Sequence, residues 1–170
     1  MAGKGSRFSA VTSIPKPFIS VAGKKMFRRA TDLLPRSEKS VFVALSEMSQ
    51  YIKDEAQPTD EWVLLEKTPS GQALSTQAGI KALDSQKDVL VTACDHFPVI
   101  NTALWERFSK EKMNFDAAIF TQRDFVPANA NPLAYAYVKE AKSAGEFATV
   151  EAVSVKKPFS STKASEHPVL

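Results

Sequence analysis

The chain predicts an α/β fold with a mostly parallel sheet and a β-rich C-terminal extension. Three short, nearly continuous apolar runs, rich in β-branched residues, stand at 40–45, 61–66 and 88–94. Segments with helical spacing or helix stop signals lie between and around them. After Met113 the pattern changes to extended runs separated by a turn signal. Alternation of strands and helices favours a parallel sheet joined by right-handed crossovers.

Each element has its own reason. MFRRATDLL (26–34) reads as a helix that stops before Pro35, since the residue before a proline is pushed out of the α region. SVFVAL (40–45) reads as a strand buried on both faces, as parallel strands usually are. SEMSQYIKDEA (46–56) opens on a serine with an acidic residue nearby and ends before Pro58, so it reads as a helix. EWVLLE (61–66) is the second strand. GQALSTQAGIKAL (71–83) places Ala73, Gln77 and Ile80 at helical spacing. DVLVTAC (88–94) is the third strand. NTALWERFSKEKM (101–113) carries Leu104, Trp105 and Phe108 on one stripe with charge opposite, a core-facing helix without a functional role. FDAAIFTQRD (115–124) reads as a further strand. AYAYVKEA (134–141) and FATVEAVSVKK (147–157) flank KSAGE, a turn.

Composition narrows the function. A chain of 170 residues forms one domain with a real core. Its net charge is +3, with basic and acidic residues interspersed, which argues against nucleic-acid binding. The single cysteine, Cys94, excludes an internal disulfide and fits a reducing, cytoplasmic setting. No apolar run approaches the ~18–20 residues of a membrane span, and the polar, glycine-rich start lacks the apolar stretch of a signal peptide.

The chemistry concentrates in AGKGSRF (2–8) and PKP (15–17). Glycines allow a tight turn and close approach to a ligand. Successive backbone N–H groups in such a turn form an anion site, and an arginine fork suits phosphate oxygens. The order and spacing are wrong for a P-loop. A dinucleotide fingerprint matches at Gly3 and Gly5 but has Phe8 at its third glycine position. A flexible tail is the third reading of these residues taken alone.

The longer pattern AGKGSRF…IPKPFISVAGKKMF resembles the signature of the sugar-phosphate nucleotidyltransferases, the nucleoside-diphosphate-sugar pyrophosphorylases. Ala2, Gly3, Gly5, Ser6, Arg7, Pro15, Lys16, Pro17, Gly23, Lys24 and Met26 fall in place, and Lys25 replaces the usual proline. In order along the chain, SGQALS (70–75) resembles the base-contacting loop. VLVTACDHF (89–97) resembles the strand ending in the metal-binding aspartate. NPLAYAYV (131–138) and VSVKKPF (153–159) resemble two elements of the sugar side. Ala136 stands where the family usually has glycine and Lys156 where it often has glutamate, so the sugar stays open.

The resemblance implies a GT-A/Rossmann-like three-layer sandwich over 1–170 and transfer of a nucleotidyl group from a nucleoside triphosphate to a sugar 1-phosphate or similar phosphate. It implies Mg²⁺ on Asp95 and nucleotide contacts from Ala2, Gly3, Gly5, Ser6, Arg7, Gly71 and Gln72. Catalytic roles fall to Arg7, Lys16 and Asp95, and acceptor contacts to Lys157 and Ala136. Each has a plainer counterpart: Arg7 in a solvated tail, PKP as a stiff linker, Asp95 capping a turn, Gly71 opening a helix, Lys157 on a solvated strand end. The family's first strand and its downstream metal-binding aspartate are not found, so the chain is expected to be incomplete at both ends. A nucleotide-binding or regulatory module without turnover is the alternative from another class, and a gene fragment without a stable fold a third.

Overall fold

The computed structural model describes residues 1–3, 8, 10–83, 87–97, 99–111, 116–121, 136–140, 149–155 and 166–168. The chain divides into two compact units, Met1–Lys110 and Glu111–Leu170.

In the first unit, strands β1 (Ser20–Val21) and β2 (Lys24–Lys25) form a small antiparallel hairpin, with Val21 opposite Lys24. Both residues of its two-residue loop have positive φ, Ala22 at 49° and Gly23 at 81°, the backbone that such a tight hairpin demands. Glycine adopts it freely; Ala22 is held there by Arg29, which donates to the Val21 and Ala22 carbonyls. Helix α1 (Met26–Thr31) follows at once and buries Phe27 and Ala30. It is three residues shorter than the sequence predicts, the segment to Pro35 closing in turns.

Strand β3 (Ser40–Leu45) and strand β4 (Asp60–Leu65) pair in parallel, from Ser40 opposite Asp60 to Leu45 opposite Leu65. Their crossover is a 3-10 turn, Ser46–Met48, and helix α2 (Ser49–Glu55). The predicted helix over 46–56 is therefore split, with the serine signal at the start of the turn.

Helix α3 (Gln72–Lys81) packs on β3, but not through the predicted stripe. Ala73, Gln77 and Ile80 are exposed, and the buried position is Gly79. A Cβ at Gly79 would stand 3.0 Å from a Val43 methyl, so the helix is seated by its small residues rather than its larger apolar ones. Helix α4 (Thr102–Glu111) brings the rings of Trp105 and Phe108 to 5.7 Å.

The core is aromatic. Ala2, Phe18, Phe27, Ala44, Leu45, Met48 and Ile52 are buried together, with Phe42, Tyr51, Trp62 and Cys94 partly buried against them. Phe27 meets Phe42 and Trp62 edge to face at 5.3 and 5.6 Å, and Phe18 stacks on Tyr51 at 5.5 Å. The Trp62 indole N–H is buried with no hydrogen-bond partner among the described residues.

One ion pair clamps this core. The Arg28 guanidinium lies over the Phe27 and Phe42 rings, 4.7 and 5.3 Å from their centroids. It donates to both carboxylate oxygens of Asp60 and to the Glu55 carbonyl, tying α1 to the end of α2 and the start of β4. Asp60, only 3% exposed at its side chain, also accepts the Gln57 N–H at 2.8 Å. Burial raises the Asp60 carboxyl, but the Arg28 hydrogen bond, the Gln57 N–H and the Arg28 charge outweigh it and leave the group below its ordinary value. A depressed folded pKa contributes stability above the unfolded value of about 3.9 and loses it as pH falls through the folded one. Urea midpoints measured from pH 5 to pH 2 should therefore fall more steeply for the wild type than for Asp60→Asn; parallel curves would remove Asp60 from the acid response.

The third predicted strand, at 88–94, is not one. The described residues there pair with no strand, and Val89, Leu90 and Val91 are 38, 37 and 56% exposed. The composition suits a strand, but a strand exists through a neighbour's N–H and C=O groups, and none of the described segments supplies them. Of the predicted strand at 115–124, residues 116–120 carry no regular structure and Thr121 makes an isolated bridge. The remainder lies outside the described residues, as does the turn KSAGE.

In the second unit, β5 (Ala136–Glu140) is central to a three-stranded antiparallel sheet between β6 (Val150–Val155) and β7 (Glu166–Pro168). Ala136 lies opposite Val155 and Tyr137 opposite Pro168, with a register irregularity between Lys139 and Glu140.

Candidate active site

Lys16 is held by its neighbours in the sequence. Pro15, at φ −58°, leads into a 3-10 turn, Lys16–Phe18. The Phe18 N–H donates to the Pro15 carbonyl at 2.8 Å and the Ile19 N–H to the Lys16 carbonyl at 3.2 Å. Pro17 and Phe18 are buried, Phe18 among Tyr51, Phe27 and Trp62. The two prolines restrict the backbone and the phenylalanine anchors it, so Lys16 keeps only its side chain to move. PKP is thus not a free linker in this fold.

Asp95 arrives from the other end of the unit. Its predecessor, Cys94, packs against the aromatic core, and the chain turns at 94–95 just beyond it. Burial pushes the Cys94 thiol up, as suits a small apolar residue rather than a nucleophile. The chain start lies close by: Ala2 is buried in the same cluster, and burial lowers the Met1 amine while the charges of Cys94 and Asp95 oppose that shift. Gly3 follows, and among the described residues nothing lies within 4 Å of where its Cβ would stand.

The two predicted charged residues meet. The Lys16 ammonium donates to Asp95 Oδ2 across 79 positions of sequence and sits 5.6 Å from the centre of the Phe8 ring. Burial raises the Asp95 carboxyl, and the Lys16 ammonium, by hydrogen bond and charge, together with the His96 charge, brings it below the ordinary carboxylate value. Both side chains are partly open to solvent, 26% for Lys16 and 36% for Asp95, and so accessible to a ligand.

A separate feature lies at the carboxyl ends of the parallel strands, where open α/β sheets bind ligands. Ser46 Oγ donates to Glu66 Oε1 at 2.9 Å and joins the ends of β3 and β4. A largely apolar, open cavity of about 730 Å³ is lined by residues 65–70 and Leu74. Gly71 is the exposed N-cap of α3, extended at φ −176°, with nothing among the described residues within 4 Å of where a Cβ would stand. The exposed Gln72 starts the helix. Gly71 therefore does open α3, and it also leaves the approach beside this cavity clear.

Gly5, Ser6, Arg7 and Lys157 lie outside the described residues. Ala136 begins β5 in the second unit.

Residues 1–155 match the family model of the MobA-like NTP transferase domain. The chain belongs to that family. No curated protein and no solved structure matches it. Membership supports nucleotidyl transfer in general and a nucleoside triphosphate as the substrate class. The paired Lys16 and Asp95 are the described part of that domain in which sequence motif and geometry coincide.

Phe8 as a partner of Lys16 and the cavity wall at 67–69 are not among the candidates the sequence offers, whereas Ser70 and Leu74 fall in the SGQALS loop. Phe8 enters there only as the residue that breaks a glycine pattern, whereas it is an aromatic face beside Lys16. The cavity had a signal: TPSG (68–71) joins a parallel strand to a helix, the usual place for a ligand loop. A second cavity, of about 540 Å³, lies among the β1–β2 hairpin, α1 and the end of α2. Lys24 with Asp32 and Lys25 with Glu55 pair across its wall, and like the cavity at 65–70 it is lined by neither Lys16 nor Asp95.

Among the described residues no three His, Cys, Asp or Glu side chains converge. A divalent cation at Asp95 would complete its oxygen shell from phosphates and water, as Mg²⁺ does in phosphoryl-transfer sites. The ammonium now on Asp95 shows that the carboxylate suits a cation. Among the described residues no helix is long and apolar enough to cross a membrane.

Proposed function

We propose that this chain is one nucleotidyltransferase domain of GT-A-like architecture, which joins a nucleoside triphosphate to a sugar 1-phosphate or a similar phosphate and releases pyrophosphate. The observation that carries the reading is the meeting of Lys16 and Asp95, from separate motifs, within a chain of the MobA-like NTP transferase family. An acceptor phosphate oxygen attacks the α-phosphorus; that O–P bond forms as the bond to the β-phosphate bridging oxygen breaks, and the electron pair leaves with pyrophosphate. An ionised phosphate needs no general base, so the protein's task is to gather like charges and stabilise the transition state.

In this reading the Lys16 ammonium faces the α-phosphate, where charge builds. The backbone of Ala2, Gly3, Gly5 and Ser6 wraps the triphosphate, and Arg7 holds the departing pyrophosphate. Gly71 lets the base approach the open cavity at residues 65–70, and Gln72 offers an amide to its edge. Lys157 and Ala136 are the residues that the family resemblance assigns to the acceptor phosphate. Asp95 and the phosphates would hold Mg²⁺, which supplies charge neutralisation and orientation at the phosphates.

The test is pyrophosphate release from each of the four ribonucleoside triphosphates against sugar 1-phosphates and other phosphate acceptors, with Mg²⁺. One triphosphate should be consumed only with a matching phosphate acceptor. Triphosphate binding without release across the panel would replace this reading with a binding module.

A further inference from the structure

We propose that Lys16 is an internal cation that guards Asp95, so that a divalent metal loads only when a triphosphate draws the ammonium away. The inference rests on the nucleotidyltransferase reading of Lys16 and Asp95. Among the described residues the Lys16 ammonium has three partners of note: Asp95 Oδ2, the Phe8 ring at 5.6 Å, and solvent. Its main chain is fixed by the 3-10 turn and the buried Pro17 and Phe18, so only rotation of the side chain releases it.

A dication added to Asp95 with Lys16 in place would put three positive charges on one carboxylate. Among the described residues no group of three metal-ligating side chains forms at Asp95, so the protein offers no ready-made cage to offset that charge. Removing the ammonium relieves that repulsion, and so does a triphosphate, whose negative charges attract both Lys16 and the metal. The aromatic face of Phe8 gives the ammonium a second favourable surface while it moves. By linkage, whatever the triphosphate does for metal affinity the metal does for triphosphate affinity. The guard makes nucleotide-free metal binding weak and metal loading nucleotide-dependent.

The experiment uses the full chain and Mn²⁺, with free Mn²⁺ read by its electron paramagnetic resonance signal, in the absence of nucleotide. Lys16→Gln should bind Mn²⁺ about tenfold more tightly than wild type, the scale of one lost charge repulsion at partly exposed distances. Lys16→Arg, which keeps the charge, should stay as weak as wild type. Adding Asp95→Asn to Lys16→Gln should abolish the gain. Equal Mn²⁺ affinity in wild type and Lys16→Gln, or a gain that survives Asp95→Asn, would overturn the guard. A parallel titration of wild type with ATP, GTP, CTP and UTP in Mn²⁺ tests the underlying reading. Binding of none of them sinks nucleotide recognition, while the nucleotide-free comparison still decides the competition between Lys16 and metal.

Discussion

Asp95→Asn is expected to lower Mg²⁺-dependent pyrophosphate release by about 10³-fold, the several kcal/mol that a catalytic metal contributes at a phosphoryl oxygen. The substitution keeps the shape of the side chain and removes its charge. Asp95 stands outside the buried cluster, in a turn beyond Cys94, so the fold loses little. Its pair with Lys16 is partly exposed, and such pairs contribute only about 0–1 kcal/mol. The expected signature is therefore a large change in turnover with nearly unchanged thermal melting. Titrating activity with Mg²⁺ separates this from a structural role: the variant should need far more metal or fail to respond. A variant with wild-type Mg²⁺ dependence would reduce Asp95 to a turn residue.

The sequence and the structure agree where local and long-range signals coincide. Ser40–Leu45 and the run at 61–66 are short and largely apolar, and they pair in parallel, the second strand shifted by one residue to Asp60–Leu65. The region 88–94 has the same composition and no ladder among the described residues, because composition specifies a candidate strand and only a partner makes one. Helix α3 shows the converse. Its larger residues suggested one face, but the constraint came from Val41 and Val43 beneath it, which leave room for Gly79 and little more. At the site, Lys16 and Asp95 were legible through motifs 79 positions apart. Their direct contact was not, since no pattern in either motif records which side chain faces which.

Phe27→Ala should destabilise the protein by about 3–5 kcal/mol, the usual loss when a buried phenylalanine is cut back to alanine. Phe27 is 1% exposed and sits where α1 meets the β3–β4 pair. It touches Phe18 at 5.5 Å, Phe42 at 5.3 Å and Trp62 at 5.6 Å, and the Arg28 guanidinium lies over its ring. Removing the ring leaves a cavity bounded by three aromatic side chains that cannot collapse without shifting the sheet or the helix. It also takes one apolar face from Arg28, whose position decides how well the buried Asp60 is paired. Because a domain of this size has about 5–15 kcal/mol of total stability, the variant should lose much of it. Phe18 follows directly on the Lys16–Pro17 pair, so loosening its ring also loosens the anchor of Lys16. Urea unfolding of Phe27→Ala and Phe27→Leu distinguishes packing from a local effect. Leucine refills most of the space and should cost less than half as much as alanine. A loss below about 1 kcal/mol for alanine would mean that the aromatic cluster does not hold α1 to the strands.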